Sequence, residues 1–265
     1  MPTSSPANRR QRVQSAETGM VVLKGLARLG GRASLSGLAA HVAESPAKVH
    51  RYLASLIEEG LVAQDGSSQH YHLGAEAIQI GLAAMRQADP IRIAEPSLLR
   101  LRESLEVTCF LAVMGNKGPT IVRFEEPGLP VTVSVRVGSV MSLLWSATGR
   151  VFLAMVDGSR VRALADDELA TAPGELRAQL DATDPIGRLC NEVRQARCAV
   201  VRDTYQRGIS AVAAPLYDHV GHVCAVITAL GASGGFDPSA DGKIATAVRR
   251  EAEAASALLG GGAVP

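Results

Sequence analysis

The side chains of this sequence that could act on another molecule are of two kinds. The first is cationic and polar: Lys48, His50, Arg51 and Tyr52 fall within one short segment, with Ser45 and Ala47 just ahead of them. Ser67 sits in a Gly-containing turn, and Arg10 and Arg12 lie near the start. Guanidinium and ammonium groups on one helix face reach phosphates or base edges, hydroxyls reach either, and an alanine methyl contacts thymine. The second kind would be catalytic or metal-binding, and there the spacings fail. Cys109, Cys190, Cys198 and Cys224 show no C-x-x-C pair, so buried free thiols are expected rather than a zinc site or a disulfide framework. His70 and His72 could place two imidazoles on one strand face as metal ligands are placed, although a strand touching phosphate explains them as well. Ser45-Pro-Ala-Lys48 fits the S-x-x-K pattern of penicillin-recognising enzymes, yet no K-T-G accompanies it and Ser45 already has a capping role. G-x-S-x-G, G-x-x-x-x-G-K-[ST], H-E-x-x-H and G-x-G-x-x-G are all absent, and His219 and His222 flank a turn without an obvious nucleophile. No catalytic residue, metal or cofactor is expected.

The elements that must position the cationic set can be read from apolar spacing. Ala16 to Leu29 carries a broad apolar stripe at helical period, and Gly30-Gly31 stops it. Ser34 or Ser36 caps a short second helix through Ala43, and Ser45-Pro46 opens a third that runs to about Glu59. Its apolar face is Val49, Leu53, Leu56 and Ile57, with Lys48, Arg51, Tyr52 and Ser55 on the other side. Leu61 to Ala63, the turn Asp65 to Gln69 and His70 to Leu73 read as a hairpin. Three helices and a hairpin, with a short second helix and a basic third one, make a winged helix-turn-helix, whose third helix enters the major groove of double-stranded DNA. An ordinary solvated helix face is the alternative for Lys48 and Arg51.

A flexible basic arm is expected over 1–14, the winged helix over 15–74, a linker helix over 75–89, and a second domain over 90–265. That domain is α+β: a helix from Pro90 to Leu105, then strands at 108–114, 120–124 and 131–137. A Gly- and Ser-containing loop over 138–149 leads into a helix at about 150–155. Helices near 166–179 and 185–196, strands at 209–217 and 222–230, and a last helix over 238–259 follow, with the helices on one face of the sheet.

Composition bounds the function. The 265 residues are 47% hydrophobic, too apolar for disorder, and no apolar run is long enough to span a bilayer. The first ten residues lack the apolar segment of a secretory signal, so a cytoplasmic location is expected. A net charge of +1 argues against nucleic acid only until it is divided. Residues 1–74 hold eight Lys and Arg against five Asp and Glu, and the remainder holds 19 against 21. Near-neutrality is therefore an average over a +3 piece and a −2 piece, and the small basic excess of one copy points to DNA binding by at least a dimer.

Five segments in order resemble the IclR family of bacterial transcriptional regulators over essentially the full length. They are Val13 to Glu17, Val49 to Val62, Tyr71 to Gly74, Ser146 to Ala154 and Gly208 to Asp218. The resemblance implies a winged-helix domain, a linker helix used in dimerisation, and a GAF-like α/β domain that binds a small-molecule effector, with dimers or dimers of dimers on operator DNA. It places effector contacts at Ala147, Thr148, Val201, Ala211, Thr228 and Leu230, and Met141, Leu143 and Trp145 approach the same loop. The chain departs from the family pattern in two places. Of the acidic run expected before Gly208 only Asp203 is present, and Val201, Ala211 and Leu230 stand where polar or small residues are usual. These changes point to a more apolar or aromatic organic acid than the small keto-acids some relatives bind. In the DNA-reading unit, Ala43 stands at a common glycine position, and Ala47 offers a methyl but no hydrogen bond, which leaves readout to Lys48, Arg51 and Tyr52. A small hydrolase in the second domain, a vestigial pocket, and a signalling module whose basic part binds protein are the competing readings.

Overall fold

The computed structural model describes residues 13–128, 135–204 and 206–261. Their contacts divide into two compact units that meet in sequence between Gln87 and Ala88.

The first unit comprises α1 (Gln14–Arg28), β1 (Arg32–Ala33), α2 (Leu35–His41), α3 (Pro46–Glu58), β2 (Val62–Gln64), β3 (Tyr71–Leu73) and α4 (Ala75–Gln87). Both short helices are capped as hydroxyl chemistry dictates: Ser34 Oγ accepts from Gly37 N, and Ser45 Oγ from Lys48 N ahead of Pro46 at the first helical position. Val22, Leu26, Leu38, Val49 and Leu53 are fully buried and join Leu56 and Tyr71 in one core. Ile57, expected on that face, is instead exposed, because the stripe that meets α1 and α2 ends at Leu56. The hairpin gains a third strand that sequence reading missed, since β1 is only two residues long and pairs with β3 in the order β1-β3-β2. Ala43 adopts the left-handed conformation, φ 55°, at the turn between α2 and α3 where glycine would be unstrained. In α4 no residue is buried, and Ile78, Ile80, Leu82 and Met85 are exposed.

The second unit opens with α5 (Pro90–Leu105), β4 (Thr108–Gly115) and β5 (Gly118–Glu125), continues through α6 (Ala147–Met155), α7 (Ser159–Thr171), α8 (Gly174–Arg177) and α9 (Pro185–Ala196), and closes with β6 (Ala199–Arg202), β7 (Ile209–Tyr217), β8 (Val223–Ala232) and α10 (Lys243–Leu258). Its five strands pair antiparallel in the order β5-β4-β8-β7-β6. The expected strand at 131–137 is corrected in its described part: 135–137 are not strand, and 131–134 lie outside the described residues. The helix expected near 166–179 is two helices, broken at Ala172-Pro173.

The expectation that helices cover one face of the sheet is also corrected. Alternate strand residues point to opposite faces, and both faces carry a core. Phe110, Ala112, Ala211, Ala213 and Val226 meet α6, α7 and α9, whereas Cys109, Leu111, Val212, Ala214 and Ile227 meet α5 and α10. Near-continuous apolar runs such as Ile209 to Leu216 are the mark of a strand covered on both sides. All four thiols are free, and burial pushes each of them up, Cys109 to about 12 and Cys224 to about 11, so they stay protonated and unreactive at neutral pH.

On the α5–α10 face, Glu251 is buried and accepts from Arg100 Nε at 2.9 Å and Nη2 at 2.7 Å. Burial pushes its carboxyl up, but the Arg100 guanidinium, helped by Arg250 and Ser97, outweighs it and the net shift is downward from 4.5. A carboxylate depressed in the folded state contributes stability above its unfolded value that is lost as pH falls through the folded one. Thermal melts of Glu251→Gln should therefore start lower at neutral pH and decline less steeply than wild type below about pH 4.5. Parallel curves for the two proteins would exclude this ion pair as a contributor.

Candidate functional site

Two candidate sites stand out, one in each unit. On the first, α3 presents Ala47, His50 and Arg51 exposed. Arg51 makes no hydrogen bond or ion pair among the described residues and is free to reach a partner. Lys48 is not: its Nζ lies 2.7 Å from Glu44 Oε1, a pairing the sequence reading passed over. Tyr52, expected opposite the core, is half-buried against it, with its ring 3.6 Å from where a Cβ on Gly19 of α1 would stand. Ser45 is occupied as the α3 cap.

The hairpin tip is organised by one carboxylate. Asp65 accepts from the Ser67 and Ser68 backbone N–H groups and from the Ser67 hydroxyl at 2.7 Å, which hold it well below the usual carboxylate range. The Ser67 hydroxyl proton and backbone N–H are thereby both committed inside the turn, so outward this side chain offers only an acceptor. Arg32, on the strand that was missed, donates to Ser68 Oγ at 3.0 Å and lies 3.7 Å from Asp65. The imidazoles of His70 and His72 rest against the carbonyls of Ser68 and Leu73, and no group of three or more candidate metal ligands occurs among the described residues. Arg10 and Arg12 lie outside the described residues.

On the second unit, a cavity of about 790 Å³ opens on the α6 side of the sheet. Met141, Leu143, Trp145, Ala147, Thr148, Val201, Ala211, Thr228 and Leu230 all line it, so the nine positions singled out in the sequence are brought together around one cavity, with the loop before α6 as one wall. The residues between Ser142 and Ser146 form that wall because their polar groups are tied down. Glu168 of α7 accepts from the Ser142 hydroxyl and, at 2.8 Å, from Leu143 N; Ser142 Oγ accepts from Trp145 N, also at 2.8 Å. Ser146 caps α6 by accepting from Gly149 N. Arg150 extends Nε to Leu144 O and Nη1 to Val200 O, joining the loop to β6.

The lining is apolar over most of its area, with Phe110, Leu164, Leu176 and Ile209 adding to the nine. Its polar groups are few and placed. Thr148 and Thr228 share one hydrogen bond at 2.9 Å while buried, so one of their two hydroxyl protons remains to donate. The first turn of α6, in the cavity wall, carries N–H groups that have no helical acceptor and the positive end of the helix dipole. Lys117 is the one cationic side chain of the lining among the described residues. Sequence reading missed Glu168, Lys117, Thr204 and Gln206. Glu168 sits in an acidic run, Asp166 to Glu168, that looks like a solvated helix face.

A winged helix with Arg51 exposed on its third helix, in one chain with a sheet unit that holds a ligand-sized cavity, points to a DNA-binding transcriptional regulator. The comparisons with known proteins agree: residues 15–66 match the IclR helix-turn-helix domain, and residues 82–257 match the bacterial transcriptional regulator IclR C-terminal domain. The chain belongs to the IclR family of bacterial transcriptional regulators. It is similar to the crystal structure of Pseudomonas aeruginosa HmgR, with a TM-score of 0.87 and 38% identity over 95% of this chain and 100% of that one. It is also 24% identical, over 93% of its own length and 90% of the other, to the HTH-type transcriptional repressor AllR of Klebsiella pneumoniae. The Agobacterium tumefaciens repressor BlcR shares the fold, with a TM-score of 0.74 at 18% identity over 94% of this chain and 98% of that one. No helix among the described residues is long and apolar enough to cross a membrane.

Proposed function

We propose that the chain is an effector-responsive regulator that binds operator DNA as a dimer or dimer of dimers. In this reading α3 enters the major groove, the hairpin touches the backbone beside it, and a small apolar or aromatic organic acid occupies the cavity. The carrying observation is the cavity itself. Its volume is that of a small-molecule site, its walls are mainly apolar, and its few donors lie together at the first turn of α6 and the Thr148–Thr228 pair. A carboxylate there meets helix N–H groups, and an aliphatic or aromatic body meets Trp145, Phe110 and Leu143. The exposed apolar side chains of α4 support pairing between copies.

A thermal-shift series with benzoate, phenylacetate, hexanoate and pyruvate tests the ligand class. Stabilisation by a bound acid grows with its concentration over its dissociation constant, reaching about 2.7 kcal/mol at a hundredfold excess. Aromatic or aliphatic acids should raise the melting temperature more than pyruvate and change Trp145 fluorescence. A chain indifferent to every acid at millimolar concentration has a vestigial cavity. For the DNA face, Arg51→Ala should weaken binding to the chain's own promoter region by about 1–3 kcal/mol. Unchanged affinity would move the reading face away from α3.

A further inference from the structure

The DNA face contains a carboxylate that a phosphate-binding surface does not need. Glu44 stands one residue before the α3 cap, held by its backbone N–H on Ala39 O at 3.1 Å, just after the strained Ala43 turn. Four residues on, Lys48 sits in the first turn of α3, and the two side chains meet at 2.7 Å with each only about a third exposed, 34% for Lys48 and 31% for Glu44. The hairpin repeats the theme with Arg32 against Asp65. The reading face therefore joins an unpaired cation, Arg51, to cations already met by carboxylates of the same chain.

We propose that Glu44 is a specificity-determining residue of the DNA face, setting how strongly the chain holds DNA that lacks its site. While Lys48 is paired, the Glu44–Lys48 couple has no net charge and releases no counterion from a duplex. Non-specific affinity, which is almost wholly electrostatic, is lowered accordingly. At a cognate site Arg51 and its neighbours fix the helix against base edges, and Lys48 can exchange Glu44 for a phosphate or a guanine edge placed at that distance. The pair thus weakens binding to any sequence, and weakens the wrong sequence more. Discrimination of this kind comes from penalising the competitor rather than from adding contacts to the target. The inference rests on α3 as the DNA-facing helix.

The test is a double-mutant cycle on the full chain, read by fluorescence anisotropy with a labelled 30-base-pair duplex of scrambled sequence and a matched duplex from the chain's own promoter, across potassium chloride concentrations. On scrambled DNA, Glu44→Gln should bind about three- to tenfold more tightly at low salt, with a log–log salt slope steeper by about one. Lys48→Met, which leaves the Glu44 carboxylate unpaired on this face, should weaken scrambled binding less in the wild-type background than in the Glu44→Gln background, where it should remove most of the gain. The promoter-to-scrambled ratio should fall in Glu44→Gln. A gain that persists undiminished in the double variant, or a ratio that does not move, overturns the proposal, because Glu44 would then act as a bulk negative charge. So does an equal loss from Lys48→Met in the wild-type and Glu44→Gln backgrounds, which would mean that Lys48 is already free of Glu44. Circular-dichroism melts confirm that each variant folds. Arg51→Ala separates the two readings: if it weakens promoter binding while the cycle is flat, only the role of Glu44 fails. If it does not, the α3 interface itself fails.

Discussion

Gly149→Ala is expected to destabilise the second unit by about 3 kcal/mol or more, at the upper end of what overpacking usually costs. Gly149 lies within α6 in ordinary helical conformation, so the cost is steric. A Cβ there would stand 1.9 Å from Ser142 O and 2.5 Å from Leu143 Cα, both backbone atoms with no rotamer to relieve them. The loop cannot withdraw without breaking the bonds from Ser142, Leu143 and Trp145 that tie it to itself and to Glu168. The missing methyl is thus what allows the loop to lie on the helix and close the cavity wall. In a unit of this size the melting temperature should fall by roughly 6–12 °C. Trp145, the only tryptophan, should shift its emission to the red and become open to acrylamide quenching. A variant melting within about 2 °C of wild type would show that the loop relaxes cheaply.

Leu53→Ala is expected to cost about 2–5 kcal/mol and to remove DNA binding while leaving the Trp145 signal unchanged. Leu53 is fully buried and sits between Val49 and Leu56 on the α3 face that meets α1 and α2. The first unit has one small core, so a cavity of this size takes a large share of its stability. With the seat of α3 lost, Ala47, His50 and Arg51 no longer share a fixed face. Limited proteolysis should cut between α1 and β3 while sparing the sheet unit. Normal promoter binding by this variant would show that α3 is held by something other than its apolar stripe.

The contrast between what the sequence discloses and what it hides follows from the range of the interactions. The capped helices of the first unit are legible because Ser34, Ser45 and Pro46 act on N–H groups within three residues of themselves. β1 is not, since two residues have no periodicity and exist as strand only by pairing with β3. Helices on both sheet faces were signalled by the unbroken apolar run of β7, read then as strand but not as doubly covered strand. At the cavity, resemblance located six lining positions and their loop neighbours supplied Met141, Leu143 and Trp145, and the geometry brings all nine together. Glu168, reaching Ser142 and Leu143 from 25 and more residues away, belongs to no local pattern. Lys48 was read as a DNA contact from its place on the polar face of α3, and its four-residue spacing to Glu44 was not weighed.

The ion pair between Arg100 and Glu251 joins the first helix of the sheet unit to its last, across 151 positions of chain. A core closed by its own two ends cannot be finished until the final helix has left the ribosome. The helical first unit, rich in local contacts, can reach its native state well before that. During synthesis the first unit can therefore be folded while the sheet unit is still unfinished, with the α10 side of the sheet bare. The interval in which that apolar surface must be kept from aggregating is set by the rate of translation over the last strands and α10.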